Sequence, residues 1–222
     1  MSLDQFISTA SQLLRPILGE KGAVLYSSAS TLSRGDVYVL GLNPGGDPTK
    51  NTTTVGSSLT SLPNYTENAY LDEDWSNHKQ YGKGQHPLQR NMQLLCDGLG
   101  YNLRDVCASN LIFLQSRDQY GARFTEMASM CWAVHRLVID IVSPSTLIVF
   151  GTGRMSPYSH LLLKKTSDEQ RIPSGHGSWT CGSFFAQDEH RKFKVVALPH
   201  LSRYSLDGRI EVIEWLKKEA QN

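Results

Sequence analysis

Residues 37–48, VYVLGLNPGGDP, run a short apolar stretch straight into a turn made of three glycines and two prolines. Val37, Tyr38, Val39 and Leu40 are β-branched, aromatic or aliphatic without a polar interruption, the pattern of a strand buried on both faces. Gly41 to Pro48 then stop it. In an open parallel sheet the ligand crevice lies beyond the carboxyl ends of the strands, and glycine lets backbone approach a ligand closely. Gly41, Leu42, Asn43, Pro44 and Gly45 are therefore candidate substrate contacts. Asn-Pro-Gly-Gly also reads as ordinary turn chemistry, with proline fixing φ and glycine supplying positive φ.

The same pattern recurs. TLIVFGTG, residues 146–153, is again an apolar run ending in glycines, and DVCASNLIFL, residues 105–114, reads as a further strand. Helices are expected over 3–18, with Ser2 as cap and Phe6, Leu13, Leu14 and Leu18 at helical spacing. Others are expected over 87–99, punctuated by Pro87, Gly98 and Gly100, over 123–142 up to Ser143-Pro144, from near Ser156, and over 207–220 from Asp207. Residues 178–187 and 191–200 are separated by a polar turn and pair as a hairpin or flank one sheet edge. Strands alternating with helices predict an α/β fold, a three-layer α/β/α sandwich around a mainly parallel sheet of four or five strands. Residues 47–85 are rich in Thr, Ser, Asn and Gly, carry Tyr65, Tyr70, Trp75 and Tyr81, and are too long for an ordinary connection.

A chain of 222 residues fits one such domain. Lys and Arg number 22 against 21 Asp and Glu, a net charge of +1 that argues against a strongly basic surface while leaving room for local patches. No apolar run reaches signal-peptide or membrane-span length, so a soluble intracellular protein without membrane partners is expected. Cys96, Cys107, Cys131 and Cys181 lack the close pairing of zinc or iron–sulfur sites and read as reduced structural residues. His176 near Cys181 is too sparse for a metal site. Without a P-loop or dinucleotide fingerprint, neither cofactor nor metal is expected.

Four strand ends carry informative residues: Asn43 in GLNPGGDP, Asn110 in CASNLIFL, Gly151 and Gly153 in VFGTG, and His200 in ALPHLSRY. This set, in this order over roughly residues 35–218, resembles the uracil-DNA glycosylase superfamily. The likeness is greatest to its mismatch-specific and single-strand-selective branches, whose first motif also reads Gly-x-Asn-Pro-Gly. The resemblance implies base excision from DNA by base flipping and water attack, with DNA as partner and no obligate protein partner. Asn43 matches the residue that positions the hydrolytic water, a task an amide performs by orientation alone because it cannot take the proton. Asn110 matches the asparagine that reads the flipped pyrimidine, accepting from N3–H and donating to O4 of uracil. His200 matches the donor to the departing base.

The last motif departs from the family's His-Pro-Ser: here it is His200-Leu201-Ser202-Arg203-Tyr204. The family's loop enters the minor groove behind the extruded base, so the resemblance makes Leu201, Arg203 and Tyr204 candidates for wedging or phosphate contact and Ser202 a phosphate ligand. Gly151, Gly153 and Arg154 are further DNA-contact candidates, with Lys79 and Lys83 in the long loop. Tyr65 and Tyr70 are candidates for stacking on the base, and Asp47 for substrate contact or for the carboxylate that Asn43 lacks. Two other readings stay open: a noncatalytic nucleic-acid-binding protein on the same fold, and a hydrolase of free nucleosides or nucleotides.

Overall fold

The computed structural model describes residues 1–76, 79–117, 123–189 and 191–221. Along the chain run α1 (Leu3–Leu13), β1 (Val37–Gly41), α2 (Val55–Ser61), α3 (Ala69–Asp72), α4 (Pro87–Leu99), β2 (Cys107–Asn110), α5 (Phe124–Val142), β3 (Thr146–Phe150), α6 (Pro157–Leu162), β4 (Gln170–Pro173), β5 (Thr180–Asp188), β6 (Arg191–Leu198) and α7 (Ile210–Gln221).

β1 is buried along its whole length, and its side chains alternate between two cores. Tyr38 and Leu40 join Phe6 and Ala10 of α1, Leu59 of α2 and Met127, Cys131 and Val138 of α5. Val37 and Val39 join Met92, Leu95 and Leu99 of α4 and Val212 and Leu216 of α7. β3 repeats the alternation, Leu147 and Val149 entering the first core and Ile148 and Phe150 the second. An apolar run without polar breaks is what two buried faces require.

The sheet has six strands in the order β2-β1-β3-β6-β5-β4. β2, β1, β3 and β6 are mutually parallel, while β5 and β4 are antiparallel additions. The mixed, mainly parallel α/β architecture agrees with expectation, as does the β5–β6 hairpin; the count of four or five strands does not. The missed strand is β4, whose sequence QRIP is largely exposed and ends in proline. Such a segment carries no core signal and is tolerated only at a sheet edge.

Other boundaries also move for local reasons. Ser2 opens α1 with a reciprocal capping box, but Pro16 confines residues 15–17 to a 3₁₀ turn, so the helix stops at Leu13 rather than 18. β2 ends at Asn110, and the chain from Leu111 onward leaves the sheet. Residues 47–85 hold α2 and α3, capped by Thr54 and Asn68. α7 starts at Ile210 because Gly208, at φ +70°, interrupts the expected start at Asp207. Among the described residues, no helix is long and apolar enough to cross a membrane. All four cysteines are buried and unpaired.

A fully buried histidine ties β1 to α5. The Leu111 carbonyl accepts from His135 Nε2 at 3.1 Å, which puts the ring proton on Nε2 and leaves Nδ1 to accept from the Tyr38 hydroxyl at 2.7 Å. Burial holds the His135 pKa down to about 4. As pH falls from the unfolded value of 6.5 toward 4, the unfolded chain takes up a proton that the native state refuses, and stability is lost across that window. The expected slope from this residue is about 1.4 kcal/mol per pH unit. Urea unfolding of wild type and His135→Gln between pH 7 and 4 checks it: the variant is less stable at neutral pH but shows a shallower acid limb.

Candidate active site at the carboxyl edge of the sheet

Chain order reverses between β1 and β3, since β2 lies on one side of β1 and β3 on the other. The crevice outside the carboxyl ends of two such strands is the common ligand position in open α/β sheets. Gly41, Asn110 and Phe150 meet there. A Cβ built on Gly41 would lie 2.3 Å from Asn110 Oδ1 and 2.7 Å from Phe150 Cζ, so only glycine permits the approach. On the other side the Phe150 ring meets His200 edge to face at 5.3 Å. Gly151, at φ +100°, turns the chain beside the His200 ring.

The loop after β1 is stitched to residues 111–117. Leu111 N–H donates to Gly41 O at 2.8 Å, Ile112 N–H to Leu42 O at 2.9 Å and Ser116 N–H to Pro44 O at 3.1 Å. Gln115 Nε2 donates to Gly45 O at 2.8 Å. This frame fixes Asn43. Its Nδ2 donates to Pro44 O at 2.8 Å and to Ser116 Oγ at 2.9 Å. A carbonyl can only accept, so the amide nitrogen must face Pro44. The oxygen Oδ1 is left open to solvent, without a donor among the described residues.

His200 is oriented as strictly. The backbone N–H of Ser202 donates to its Nδ1 at 3.2 Å, and Ser202 Oγ lies 2.8 Å from the same atom. A ring nitrogen that accepts from a backbone amide carries no proton, so the neutral ring bears its proton on Nε2. No described residue bonds Nε2, and it too remains open to solvent. Burial, and secondarily the Arg203 cation, hold the His200 pKa down to about 4, which keeps the ring neutral at physiological pH. The loop carrying it is anchored from α4: Asn91 Nδ2 donates to Leu201 O at 2.9 Å, and Asn91 Oδ1 accepts from Leu206 N–H at 3.2 Å.

Asn110 is buried at the end of β2, its carboxamide beside the Tyr26 hydroxyl. Tyr26, Tyr70 and Trp75 form an aromatic wall there, with centroid separations of 5.8, 6.0 and 5.5 Å. Tyr70 is fully buried within it, whereas Tyr65 is half-buried at the edge with its hydroxyl toward Glu73.

Other expected residues are placed differently. Asp47 caps the turn 48–50 through Thr49 and pairs with Arg117 at 2.7 Å, contacts that lower its pKa. Leu201 and Tyr204 are corrected: both are sealed in the core beside α4 and α7, and the Tyr204 hydroxyl donates to Ser174 O at 2.7 Å, so neither side chain is presented at the surface for wedging or phosphate contact. Ser202 and Arg203 are exposed, as are Gly153 and Arg154. In the long loop Lys79 stands 5.4 Å over the Tyr81 ring, and Lys83 is exposed. Sequence reasoning missed Tyr26, Ser116 and Phe150. Only Phe150 had a signal, its position at the end of an apolar run before Gly151.

Among the described residues, no group of three or more His, Cys, Asp or Glu side chains gathers to hold a metal. Models of protein families give no match to this chain, and neither do curated proteins.

Gly41→Ala should force Asn110 and Phe150 apart and cost about 1–3 kcal/mol. Thermal melts should show a drop of several degrees, against no change for Gly45→Ala, where nothing stands within 4 Å of an added Cβ. The His200 ring should titrate near 4, and Arg203→Ala should raise that value; NMR titration of the imidazole reads both.

Proposed function

We propose that this chain is a DNA glycosylase of the uracil-DNA glycosylase type, a three-layer α/β/α protein acting inside the cell. It extrudes uracil or a related damaged base into the crevice between Gly41, Asn110 and His200 and hydrolyses its N-glycosidic bond. One observation carries the reading. At the same edge of the sheet, past the ends of β1 and β6 with β3 between them, Asn43 keeps an oxygen free and His200 keeps an N–H free, and each is held in that orientation by bonds to its other polar atoms. An acceptor for a water and a neutral donor, at the same sheet edge as a carboxamide that can read a base edge, are what the reaction needs.

As the bond from the sugar carbon to the base nitrogen breaks, positive charge grows on the sugar and negative charge on the base. The Nε2–H of His200 stabilises the base oxygen as that charge develops. Asn43 Oδ1 accepts a hydrogen bond from water and aims its oxygen at the sugar carbon. The water's surplus proton passes to the departing base, because an amide cannot hold it. Asn110 accepts from N3–H and donates to O4 of uracil, whereas cytosine presents the reverse pattern and would leave buried polar groups unpaired.

The test is alkali-revealed strand cleavage of single- and double-stranded oligonucleotides carrying one uracil, hypoxanthine or xanthine. Wild type should produce abasic sites. In single-turnover kinetics His200→Ala should slow excision by about 10²–10³-fold and Asn43→Ala by about 10²–10⁴-fold with folding intact, and Asn110→Asp should change base preference. Unchanged rates would remove the assigned roles. Retained oligonucleotide binding with no product from any substrate would support the noncatalytic binding module instead.

A further inference from the structure

The antiparallel pair β4–β5 places its connecting turn, residues 174–179 (SGHGSW), at the same sheet edge as the candidate site. β5 pairs with β6 so that Gly182 stands opposite Ala197, which brings the start of β5 alongside the end of β6 that leads to His200. β4 pairs with β5 from Gln170 opposite Ser183 to Pro173 opposite Thr180, so the turn after Pro173 rises at that edge as well.

The turn is tightly built. Ser174 N–H donates to Trp179 O at 2.8 Å, Trp179 N–H to His176 O at 3.1 Å and His176 N–H to Ser174 Oγ at 3.3 Å. Gly175 and Gly177, at φ +73° and +52°, supply the left-handed positions. The turn is also braced to the His200 loop. Tyr204 donates its hydroxyl to Ser174 O, and Arg209 donates to Gly175 O. The His176 ring lies 6.4 Å from Tyr204.

On this braced frame stands Trp179, 38% exposed, with the His176 ring 4.7 Å away and tilted against it. Trp179 belongs to neither hydrophobic core, and its ring contact is with His176 of the same turn. The half-buried Arg209 donates to Gly175 O of the same turn, and the exposed Arg203 immediately precedes Tyr204, whose hydroxyl holds Ser174 O. An amphipathic ring on a rigid arm next to guanidinium groups is the arrangement that stacks a nucleobase while cations meet the adjoining phosphate.

We propose that the 174–179 turn is a DNA-contact arm on which Trp179 stacks a base of the single strand flanking the extruded nucleotide. The inference rests on the glycosylase reading of the neighbouring crevice. It assigns to Trp179 and Arg203 the contact that the buried Leu201 and Tyr204 do not make.

The experiment measures binding and excision separately, with the full chain throughout. Fluorescence anisotropy gives the affinity for an undamaged labelled single-stranded oligonucleotide, and single-turnover assays at saturating uracil oligonucleotide give the excision rate. Trp179→Ala should weaken binding by about 10-fold or more and leave the saturated excision rate within a few-fold of wild type, while Trp179→Phe keeps most of the affinity. Wild-type affinity in Trp179→Ala would overturn the arm and leave the glycosylase reading standing. Binding that depends on Trp179, together with no excision by wild type, would keep the arm and sink the glycosylase. No oligonucleotide binding by wild type would overturn the arm. Thermal melts of Trp179→Ala matching wild type exclude a folding defect as the cause of lost affinity.

Discussion

The missing side chain at Gly41 is the constraint on which the rest of the crevice depends. β1 lies between β2 and β3, so whatever its last residue presents is squeezed from both sides. With glycine there, the Asn110 carboxamide from β2 and the Phe150 ring from β3 share the space over one Cα. Phe150 in turn meets His200 from the next strand. Four adjacent parallel strands thus contribute to one spot because the central one contributes no bulk. Close-packed interiors transmit such a constraint directly, and Phe150 is itself buried in the second core.

Much of this arrangement was legible in the sequence because it rests on local rules. Unbroken apolar runs ending in glycine marked β1 and β3 and put Asn43 at the rim, whereas Asn110, inside the strand expected over 105–114, and His200 were singled out through the family resemblance. What was not legible depends on contacts between distant segments. β4 has no core signature, and its existence follows from pairing with β5. Ser116 gains significance only because residues 111–117 leave the sheet and fold back on the Pro44 turn. Tyr26 precedes the first strand and meets Asn110 only in three dimensions. Leu201 and Tyr204 show the reverse error. Following a loop motif suggested outward side chains, whereas the loop's own apolar residues are claimed by the core beneath it.

Three histidines, His135, His160 and His200, all have pKa values pushed down to about 4, chiefly by burial. The shift alone therefore does not single out a site. His135 spends both ring nitrogens on Tyr38 and Leu111, which makes it a structural tie. His160 stacks near Trp132, 5.0 Å between centroids, and its Nε2 is sealed from solvent without a hydrogen-bond partner, a position no ligand reaches. His200 alone of the three combines a satisfied Nδ1 with an Nε2 open to solvent at a strand end. Asn43 repeats that logic in an amide, its nitrogen fully bonded and its oxygen open. What sets Asn43 and His200 apart is incomplete satisfaction in a fixed direction. The protein spends Ser116, Ser202 and the Pro44 carbonyl to hold each unsatisfied atom where a ligand would complete it.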